Sequence, residues 1–195
     1  MQTRREFFVA SVVTAIAGSV ARVFGAKRAT NAPAAEAQKT VNGALHSINV
    51  SLGGVPKNRV ESAEITKEHV VGDKQRNTKA HGGPDRAVTL FCLDQINAFK
   101  KQGHPIGVGT TGENLTLDGI PNALLTPGTR VKVGSTVELE ITKYLPPCGT
   151  IKGSFKDGDF MLVSHAKHPG CARVGARVIT PGTVNIGDAV TLLRA

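Results

Sequence analysis

The sequence predicts a mainly β protein: a closed or half-closed β-barrel of many short strands with a few short helices. Turns come at short intervals, since the 195 residues include 22 glycines and 10 prolines. Between those turns, apolar residues either alternate with polar ones or form short continuous runs, and both patterns are typical of β-strands. Closing such a sheet removes its exposed edges, so a barrel is the expected architecture.

The length fits one domain with a sizeable core and is too short for two domains of ordinary size. Aromatic residues make up 4% of the chain and Trp is absent, so the core is expected to be aliphatic. We expect three segments: a signal peptide over residues 1–34, a flexible leader over 35–46 and the folded domain over 47–195.

The first segment has the features of a twin-arginine signal peptide. Arg4 and Arg5 precede an apolar run from Val9 to Ala21 that contains Ser, Thr and Gly. Such a run is too short to span a bilayer comfortably, and its modest hydrophobicity suits the twin-arginine route. Ala32-Pro33-Ala34 supplies small residues for a signal peptidase, so the mature chain is expected to begin near Ala35. An uncleaved anchor or an amphipathic helix is the alternative.

This signal predicts a periplasmic protein, with the twin-arginine export machinery as a partner and no stable membrane anchor after cleavage. The route carries folded proteins, often because a cofactor must be inserted in the cytoplasm. The segment from Gln38 to Ala44 is polar and small, so it is expected to be a mobile leader into the domain.

Strands follow in order through the domain. Alternation or continuous apolar runs predict strands over residues 47–52, 60–66, 87–92, 115–117, 131–133, 137–144, 173–179 and 189–193. The run over 87–92 is a continuous apolar run apart from Thr89, which predicts a fully buried strand. Two short helices are expected: one over 94–103, capped by Asp94, and one capped by Asp157 or Asp159 that ends near Lys167.

A segment before the buried strand has the composition of a ligand-binding loop: His81-Gly82-Gly83-Pro84-Asp85-Arg86-Ala87-Val88. Gly82 and Gly83 let the backbone approach a ligand closely, and Arg86 is left to reach outward. A positive rim around a phosphate or an oxyanion is expected from Arg86 and the upstream cations Lys74, Arg76 and Lys79. The alternative is a tight loop with a solvated charged face.

The charge of the folded part is modest. Beyond residue 34, 19 Lys and Arg face 14 Asp and Glu, which gives +5 of the chain's net +9. With one Tyr and no interleaving of basic and aromatic residues, the chain lacks the features of a nucleic-acid platform. Small anionic ligands are the better match, and no nucleic-acid partner is expected.

Three motifs follow one another along the chain: His81 to Val88, Gly112-Glu113-Asn114-Leu115, and Pro146-Pro147-Cys148-Gly149-Thr150 followed by Gly153-Ser154-Phe155. In this order and spacing they resemble the bacterial single-domain branch of the MOSC family, named for the C-terminal domain of molybdenum-cofactor sulfurases. The likeness runs from about Ser47 to Leu193. It implies a barrel fold and the molybdenum cofactor, a molybdopterin. The family includes both sulfur carriers and oxidoreductases.

Cys148 is the candidate metal ligand and catalytic residue. In MOSC proteins the matching Cys coordinates molybdenum or carries a persulfide, and a soft thiolate suits both roles. The alternatives are an exposed thiol of no consequence or a disulfide with Cys171. Cys92 lies in an apolar run and is expected to be a small buried hydrophobe.

The resemblance also implies the other site residues. Arg86 and Lys152 are candidates for the cofactor's phosphate, with Gly82 and Gly83 as further cofactor-binding positions. His81 and Asp85 are candidates for supporting the residues around Cys148 from behind or for transferring protons. We expect His81, Arg86 and Cys148 to converge on one concave, positively lined pocket.

Two further groups of residues leave alternatives open. Glu113 and Asn114 match the family's Gly-Glu-Asn motif and are candidate cofactor-binding residues, which either hydrogen-bond a pterin edge or tie down their own loop. His165-x-x-His168-x-x-Cys171 resembles a zinc-site spacing. Pro169-Gly170 breaks that segment and no fourth ligand lies nearby in sequence, so a helix end near the cofactor is preferred to zinc.

The function expected from the resemblance is that of a molybdenum-cofactor oxidoreductase that removes oxygen from N-hydroxylated or similar small substrates. The sequence has no flavin, haem or iron–sulfur motif, so a separate electron-donor protein is an expected partner. The alternative is a non-catalytic carrier of the cofactor or of a Cys148 persulfide. A pyridoxal-phosphate desulfurase domain is not expected in this chain.

Overall fold

A computed structural model describes residues 40–74 and 82–193 of the chain. The described strands are β1 Thr40–Val50, β2 Asn58–Val60, β3 Ser62–Ile65, β4 Val88–Cys92, β5 Leu115–Asp118, β6 Arg130–Val133, β7 Val137–Tyr144, β8 Val174–Thr180, β9 Gly182–Asn185 and β10 Ala189–Leu193. A single α-helix, α1 Leu93–Lys101, lies within the described residues. Short 3-10 helices lie at Pro84–Arg86, Asn122–Leu124, Gly149–Ser154, Lys156–Gly158 and Phe160–Val163.

Seven strands form a closed barrel in the order β10, β6, β7, β8, β4, β5 and β1, and the pairing of β1 with β10 closes the ring. β2 extends the sheet beyond β1, while β3 pairs with β9 in a separate two-stranded sheet. The prediction of a mainly β, closed barrel with a few short helices is confirmed. Leu, Ile and Val residues fill its interior, and the fully buried ones include Leu45, Ile48, Leu90, Leu139 and Val190.

One pair of adjacent strands, β4 and β5, is parallel, whereas the other pairs in the barrel are antiparallel. Parallel neighbours need a long crossover connection, and residues 93–114 provide it. The crossover consists of α1 followed by a glycine-rich loop that ends at Glu113 and Asn114. This topology places that loop at the start of β5, beside the end of β1.

A second apolar cluster anchors the crossover and the segment after β7. Phe99 of α1 packs edge to face on Phe155, with ring centroids 5.6 Å apart and an interplanar angle of 86°. Ile151 of the 3-10 helix Gly149–Ser154 and Ile106 of the crossover are buried in the same cluster. Because Cys148 immediately precedes this 3-10 helix, the packing fixes its position.

The predicted flexible leader is wrong over its second half, because strand β1 begins at Thr40. Residues 40–44 pair with β10, and Gly43 lies opposite Val190. A Cβ at Gly43 would lie 2.1 Å from the backbone oxygen of Asp118, so only glycine fits this close strand contact. The small residues that suggested mobility therefore allow close packing of the barrel.

Several boundaries also differ from the predictions. The strand predicted over 60–66 is interrupted after Val60, and β3 pairs elsewhere. Asp94 does not cap α1, because the N-cap residue is Cys92. The Oδ2 atom of Asp94 instead accepts a hydrogen bond from the Asn122 backbone N–H at 3.2 Å. The second predicted helix is only the 3-10 turn Phe160–Val163, where Asp159 Oδ1 accepts from the Met161 backbone at 3.2 Å.

Some predictions fall on residues that the structure does not describe. The signal peptide over 1–34, the start of the leader, and Arg76, Lys79 and His81 lie outside the described residues. Within residues 40–74 and 82–193, no helix has the length and apolar character needed to cross a bilayer.

Candidate functional site

A cavity of about 180 Å³ lies where several segments of the chain meet. Its wall is formed by the β1–β2 loop, the segment after β3, the turn before β4 with the start of β4, the crossover loop before β5, the segment after β7 and the residue before β8. Its lining residues are Gly54, Val55, Lys57, Lys74, Arg86, Thr89, Thr111, Gly112, Asn114, Pro146, Cys148, Thr150, Ile151 and Arg173. We call this space the cationic cavity.

The cationic cavity brings Arg86 and Cys148 together, as predicted, although 62 positions separate them in sequence. Lys74 also lies on its lining, as expected for the positive rim. Two further cations, Lys57 and Arg173, complete the set and were not singled out from the sequence. Four positive side chains around one small space favour a multiply charged anion.

Arg173 is the most buried of these cations, with 5% of its surface exposed. Its Nη1 donates a hydrogen bond to the backbone oxygen of Thr111, while its Nε has no hydrogen-bond partner. Burial lowers the pKa of Arg173 to about 10, against the opposing charge of Glu113, so the guanidinium stays protonated at neutral pH. A buried N–H donor without a partner beside a cavity is a position that an anionic ligand can satisfy.

The Cys148 thiol lies half-buried at the same cavity, with Sγ 2.7 Å from Thr150 Oγ1. Partial burial acts to raise its pKa, but the hydrogen bonds from Thr150 and the charges of Arg173 and Arg86 outweigh it. The pKa of Cys148 is therefore lowered, which favours the nucleophilic and metal-binding thiolate.

All three cysteines lie in the described part of the chain and all are free thiols. The alternative disulfide between Cys148 and Cys171 is therefore not formed. Cys171 instead packs on the second apolar cluster, and burial raises its pKa. Cys92 is fully buried in the barrel, as predicted, and burial raises its pKa well above the ordinary value.

Glu113 ties down its own loop, which is one of the two alternatives raised by the sequence. The fully buried carboxylate accepts hydrogen bonds from Gly109 N at 2.5 Å, Thr111 Oγ1 at 2.6 Å and Thr116 Oγ1 at 3.3 Å. Its negative charge also favours the charged form of Arg173. Glu113 thus stabilises the loop that forms part of the cavity wall, and its carboxylate stabilises the positive charge of Arg173.

Asn114 lines the cationic cavity, but its side chain is engaged by the protein. Its Oδ1 accepts from the backbone and the hydroxyl of Thr89, at 3.1 and 2.8 Å. Its Nδ2 donates to Asp73 Oδ2 at 2.9 Å. The Asp73 carboxylate also accepts from Lys57 Nζ at 2.6 Å and from the Ser51 backbone at 2.9 Å. Asn114 and Asp73 thereby hold Lys57 at the cavity.

Other candidates do not line the cavity. The 3-10 turn Pro84–Arg86 directs Asp85 outward, where its exposed carboxylate pairs with Arg177 Nη2 at 3.0 Å. Lys152 is exposed, and neither Gly82 nor Gly83 is on the cavity wall. Gly83 has a φ of 91°, so the turn itself requires glycine there.

The segment with zinc-like spacing has a different arrangement. The His165 ring stacks on Tyr144, with centroids 3.5 Å apart and an interplanar angle of 7°. Its buried Nδ1 has no hydrogen-bond partner. Over residues 40–74 and 82–193, no three His, Cys, Asp or Glu side chains are grouped to hold a metal ion.

The domain as a whole is similar to known proteins. The model of the MOSC domain family matches residues 77–191. YflK of Bacillus subtilis is 27% identical over 142 residues, which cover 72% of this chain and 63% of YflK. YiiM of Escherichia coli is 25% identical over 135 residues, which cover 66% of this chain and 58% of YiiM. The aligned part thus spans less than two thirds of either relative.

Solved structures share the fold. YuaD of Bacillus subtilis superposes with a TM-score of 0.61 at 16% identity, over 81% of this chain and 99% of YuaD. YiiM of Escherichia coli gives 0.59 at 19% identity, over 79% of this chain and 70% of YiiM. YiiM of Geobacillus stearothermophilus gives 0.59 at 20% identity, over 78% of this chain and 75% of its own.

Proposed function

Since this chain belongs to the MOSC domain family, we propose that its cationic cavity binds the molybdenum cofactor and that the protein is an oxidoreductase for N-hydroxylated or similar small substrates. One observation carries this proposal: a thiol with a lowered pKa shares a small cavity with four cations. A phosphorylated cofactor with a thiophilic metal needs both features.

The residues fit such a cofactor. The unpartnered Nε of the buried Arg173 is suited to a phosphate oxygen, and Arg86, Lys57 and Lys74 offer further positive charge. Cys148 offers one soft ligand for molybdenum. Because the described residues contain no cluster of further His, Cys, Asp or Glu ligands, the remaining sulfur ligands would belong to the cofactor's dithiolene.

The bound cofactor would supply two-electron oxygen-atom transfer. For an N-hydroxylated amine, the N–O bond breaks, two electrons and two protons are consumed, and the amine and one water leave. A separate electron-donor protein would provide the electrons. In this proposal Cys148 holds the metal, the four cations hold the phosphate, and Glu113 keeps the loop in place. His81 is proposed to handle protons, while Asp85 faces Arg177 instead of the cavity.

A second candidate is a carrier of sulfur or of the cofactor without turnover. The observation in its favour is the half-exposed Cys148 thiol with a lowered pKa and no disulfide partner, which suits a persulfide as well as a metal. For either function we propose that the protein is exported to the periplasm by the twin-arginine route.

The test is elemental analysis of the protein from a cofactor-producing host, made with its single variants Cys148→Ser and Cys171→Ser. About one molybdenum per chain in the parent and in Cys171→Ser, with loss of metal and reductase activity in Cys148→Ser, supports the enzyme. Sulfane sulfur on Cys148 without molybdenum favours the carrier. Equal metal content in all three proteins contradicts the role of Cys148.

A further inference from the structure

Two exposed apolar side chains lie on adjoining loops at the mouth of the cationic cavity. Leu52 is 84% exposed and Val71 is 43% exposed, and no other large apolar side chain within residues 40–74 and 82–193 is exposed. A single apolar residue on a surface is common and needs no explanation. Two that adjoin one another beside a candidate active site indicate a contact with another molecule. We call Leu52 and Val71 the apolar rim.

Hydrogen bonds join the two loops that carry the apolar rim. Ser51 N donates to Asp73 Oδ1 at 2.9 Å, and Lys74 N donates to Ser51 O at 2.7 Å. Leu52 directly follows Ser51, while Val71 lies two residues before Asp73. Lys74 itself lines the cationic cavity, as does Gly54 of the first loop. The apolar rim is therefore part of the structure that surrounds the cavity mouth.

The exposure of the apolar rim is built into two tight turns. In the first loop, Ser51 Oγ accepts from Gly53 N at 3.3 Å and donates to Gly54 O at 3.0 Å. These contacts span Leu52 on both sides and hold its backbone in the turn. The second loop turns over residues 70–73, through a backbone hydrogen bond of 3.0 Å. Because both turns are fixed by hydrogen bonds, a partner that covers Leu52 orders little extra chain.

The charge around the apolar rim is positive. Residues 51–61, 70–74 and 148–154, which carry the rim and the turn after Cys148, contain Lys57, Arg59, Lys74 and Lys152 against Glu61 and Asp73, so four positive and two negative charges leave +2. Asp73 is buried and its charge is already opposed by Lys57 Nζ at 2.6 Å. Lys74 and Lys152 are exposed. The mouth thus presents cations around an apolar centre, which complements an acidic surface.

The proposed reaction decides what kind of partner must reach this mouth. Each substrate takes up two electrons, and the sequence has no flavin, haem or iron–sulfur motif from which to supply them. A donor protein must therefore bring its redox group to the cavity, and it must leave once it has been oxidised. Interfaces of such short-lived redox encounters are small, below about 1,200 Å², and charge steers their association. A small apolar centre among cations has that composition.

We propose that the apolar rim, with Lys74 and Lys152 beside it, is the docking surface for an acidic electron-donor protein. This inference rests on the proposed function and adds to it the place where the donor binds and the charge of its surface. Acidic side chains of the donor face the two lysines, and an apolar patch covers Leu52. A donor that carries one electron docks twice for each substrate, and each docking oxidises it by that one electron.

The first experiment follows backbone amides of the purified, metal-free, ¹⁵N-labelled chain by NMR while three probes are titrated separately. The probes are oxidised flavodoxin as an acidic electron carrier, reduced cytochrome c as a basic one, and vesicles of phosphatidylglycerol as an anionic lipid surface. We expect flavodoxin to shift the amides of Leu52, Val71 and Lys74, and its binding to weaken from about 50 to about 200 mM NaCl because salt screens the charges. Cytochrome c and the vesicles should leave these amides unshifted.

Three variants separate the apolar and the charged contributions. Leu52→Ser should weaken flavodoxin binding by about fivefold or more, because the apolar centre of a small interface carries much of its affinity. Val71→Thr keeps the shape of the side chain and should give a smaller loss; it serves as the test if Leu52→Ser does not fold. Lys74→Gln should also weaken binding, whereas its charge-matched control Lys132→Gln, exposed on β6, should bind as the parent does.

The second experiment uses the cofactor-loaded protein. Turnover driven by reduced flavodoxin should fall in Leu52→Ser, while turnover driven by dithionite, which needs no docking surface, should be unchanged. The inference is overturned if flavodoxin shifts no amide of the apolar rim, or if it binds the folded Leu52 and Val71 variants as it binds the parent. Shifts of these amides by vesicles alone, or by raising the concentration of the chain alone, would overturn it in favour of a lipid surface or a second copy. Absence of molybdenum or of dithionite-driven turnover would instead contradict the proposed function, so the two failures are distinguishable.

Discussion

Lys57 Nζ lies 2.6 Å from Asp73 Oδ2, and their side chains are only 11% and 5% exposed. Burial lowers the pKa of Lys57 in spite of the charge and hydrogen bond of Asp73, which act to raise it. Asp73 also accepts hydrogen bonds from Ser51 and Asn114, so one carboxylate joins two loops and a cavity cation. The positive charge of the cavity thus depends on a buried anion behind it.

Asp73→Asn is expected to destabilise the protein by about 3 kcal/mol, because it leaves the Lys57 ammonium buried without its counter-charge. The double variant Lys57→Met/Asp73→Asn should recover part of that loss. Urea unfolding measures both. The control is Glu138→Gln in the exposed pair with Arg130, where a change below about 1 kcal/mol is expected. Equal losses in Asp73→Asn and Glu138→Gln would contradict the role assigned to burial.

The Cys148 thiol should react with iodoacetamide at a lower pH than an ordinary thiol, because its pKa is lowered. Cys171 should react only at a higher pH than an ordinary thiol, because its pKa is raised. Arg86→Gln removes one of the charges that lower the pKa of Cys148, so the pH at which Cys148 reacts at half its maximal rate should increase. Peptide mass spectrometry of alkylated protein across pH gives both profiles. Lys152→Gln is the charge-matched control and should leave the Cys148 profile unmoved; the same shift in both variants would refute a specific effect of Arg86.

Gly43→Ala should destabilise the barrel by about 1–3 kcal/mol, because the new Cβ overlaps the backbone oxygen of Asp118. Gly149→Ala meets no atom, and a change within about 0.5 kcal/mol is expected. Thermal unfolding of the two variants makes the comparison. A neutral Gly43→Ala would mean that residues 40–44 contribute little to the barrel in solution.

The export proposal is tested by replacing Arg4 and Arg5 with Lys, which should retain the protein in the cytoplasm because the twin-arginine route reads this pair. Cell fractionation followed by N-terminal sequencing of the periplasmic form checks both the route and the cleavage near Ala35. Undiminished recovery from the periplasm would reject the route while leaving the barrel unaffected.

Features that depend on local pattern were predictable from the sequence. The apolar run before α1 predicted the buried strand β4, because five consecutive apolar or small residues are stabilised by burial on both faces of a sheet. Arg86 was singled out from a segment rich in Gly and Pro, whereas Cys148 was singled out through the resemblance to the MOSC family. Their convergence in the structure follows from barrel closure.

Features that depend on tertiary contacts were not predictable. Arg173 precedes a strand, and nothing in its neighbours indicates that its guanidinium is buried. Lys57 and Asp73 are 16 positions apart, on separate loops, and look like ordinary surface charges. The early start of β1 was missed because Gly43 and Ala44 carry no hydrophobic signal, and their value lies in the close contact with Asp118.

The pairing of β1 with β10, from Thr40 opposite Leu193 to Ala44 opposite Ala189, has a consequence for biosynthesis. Since the first described strand closes the ring with the last described strand, the barrel cannot close on the ribosome before β10 has been made. Until then β1 and β6 each present an unpaired edge. Any ligand that needs the finished cleft must therefore be acquired after translation of β10.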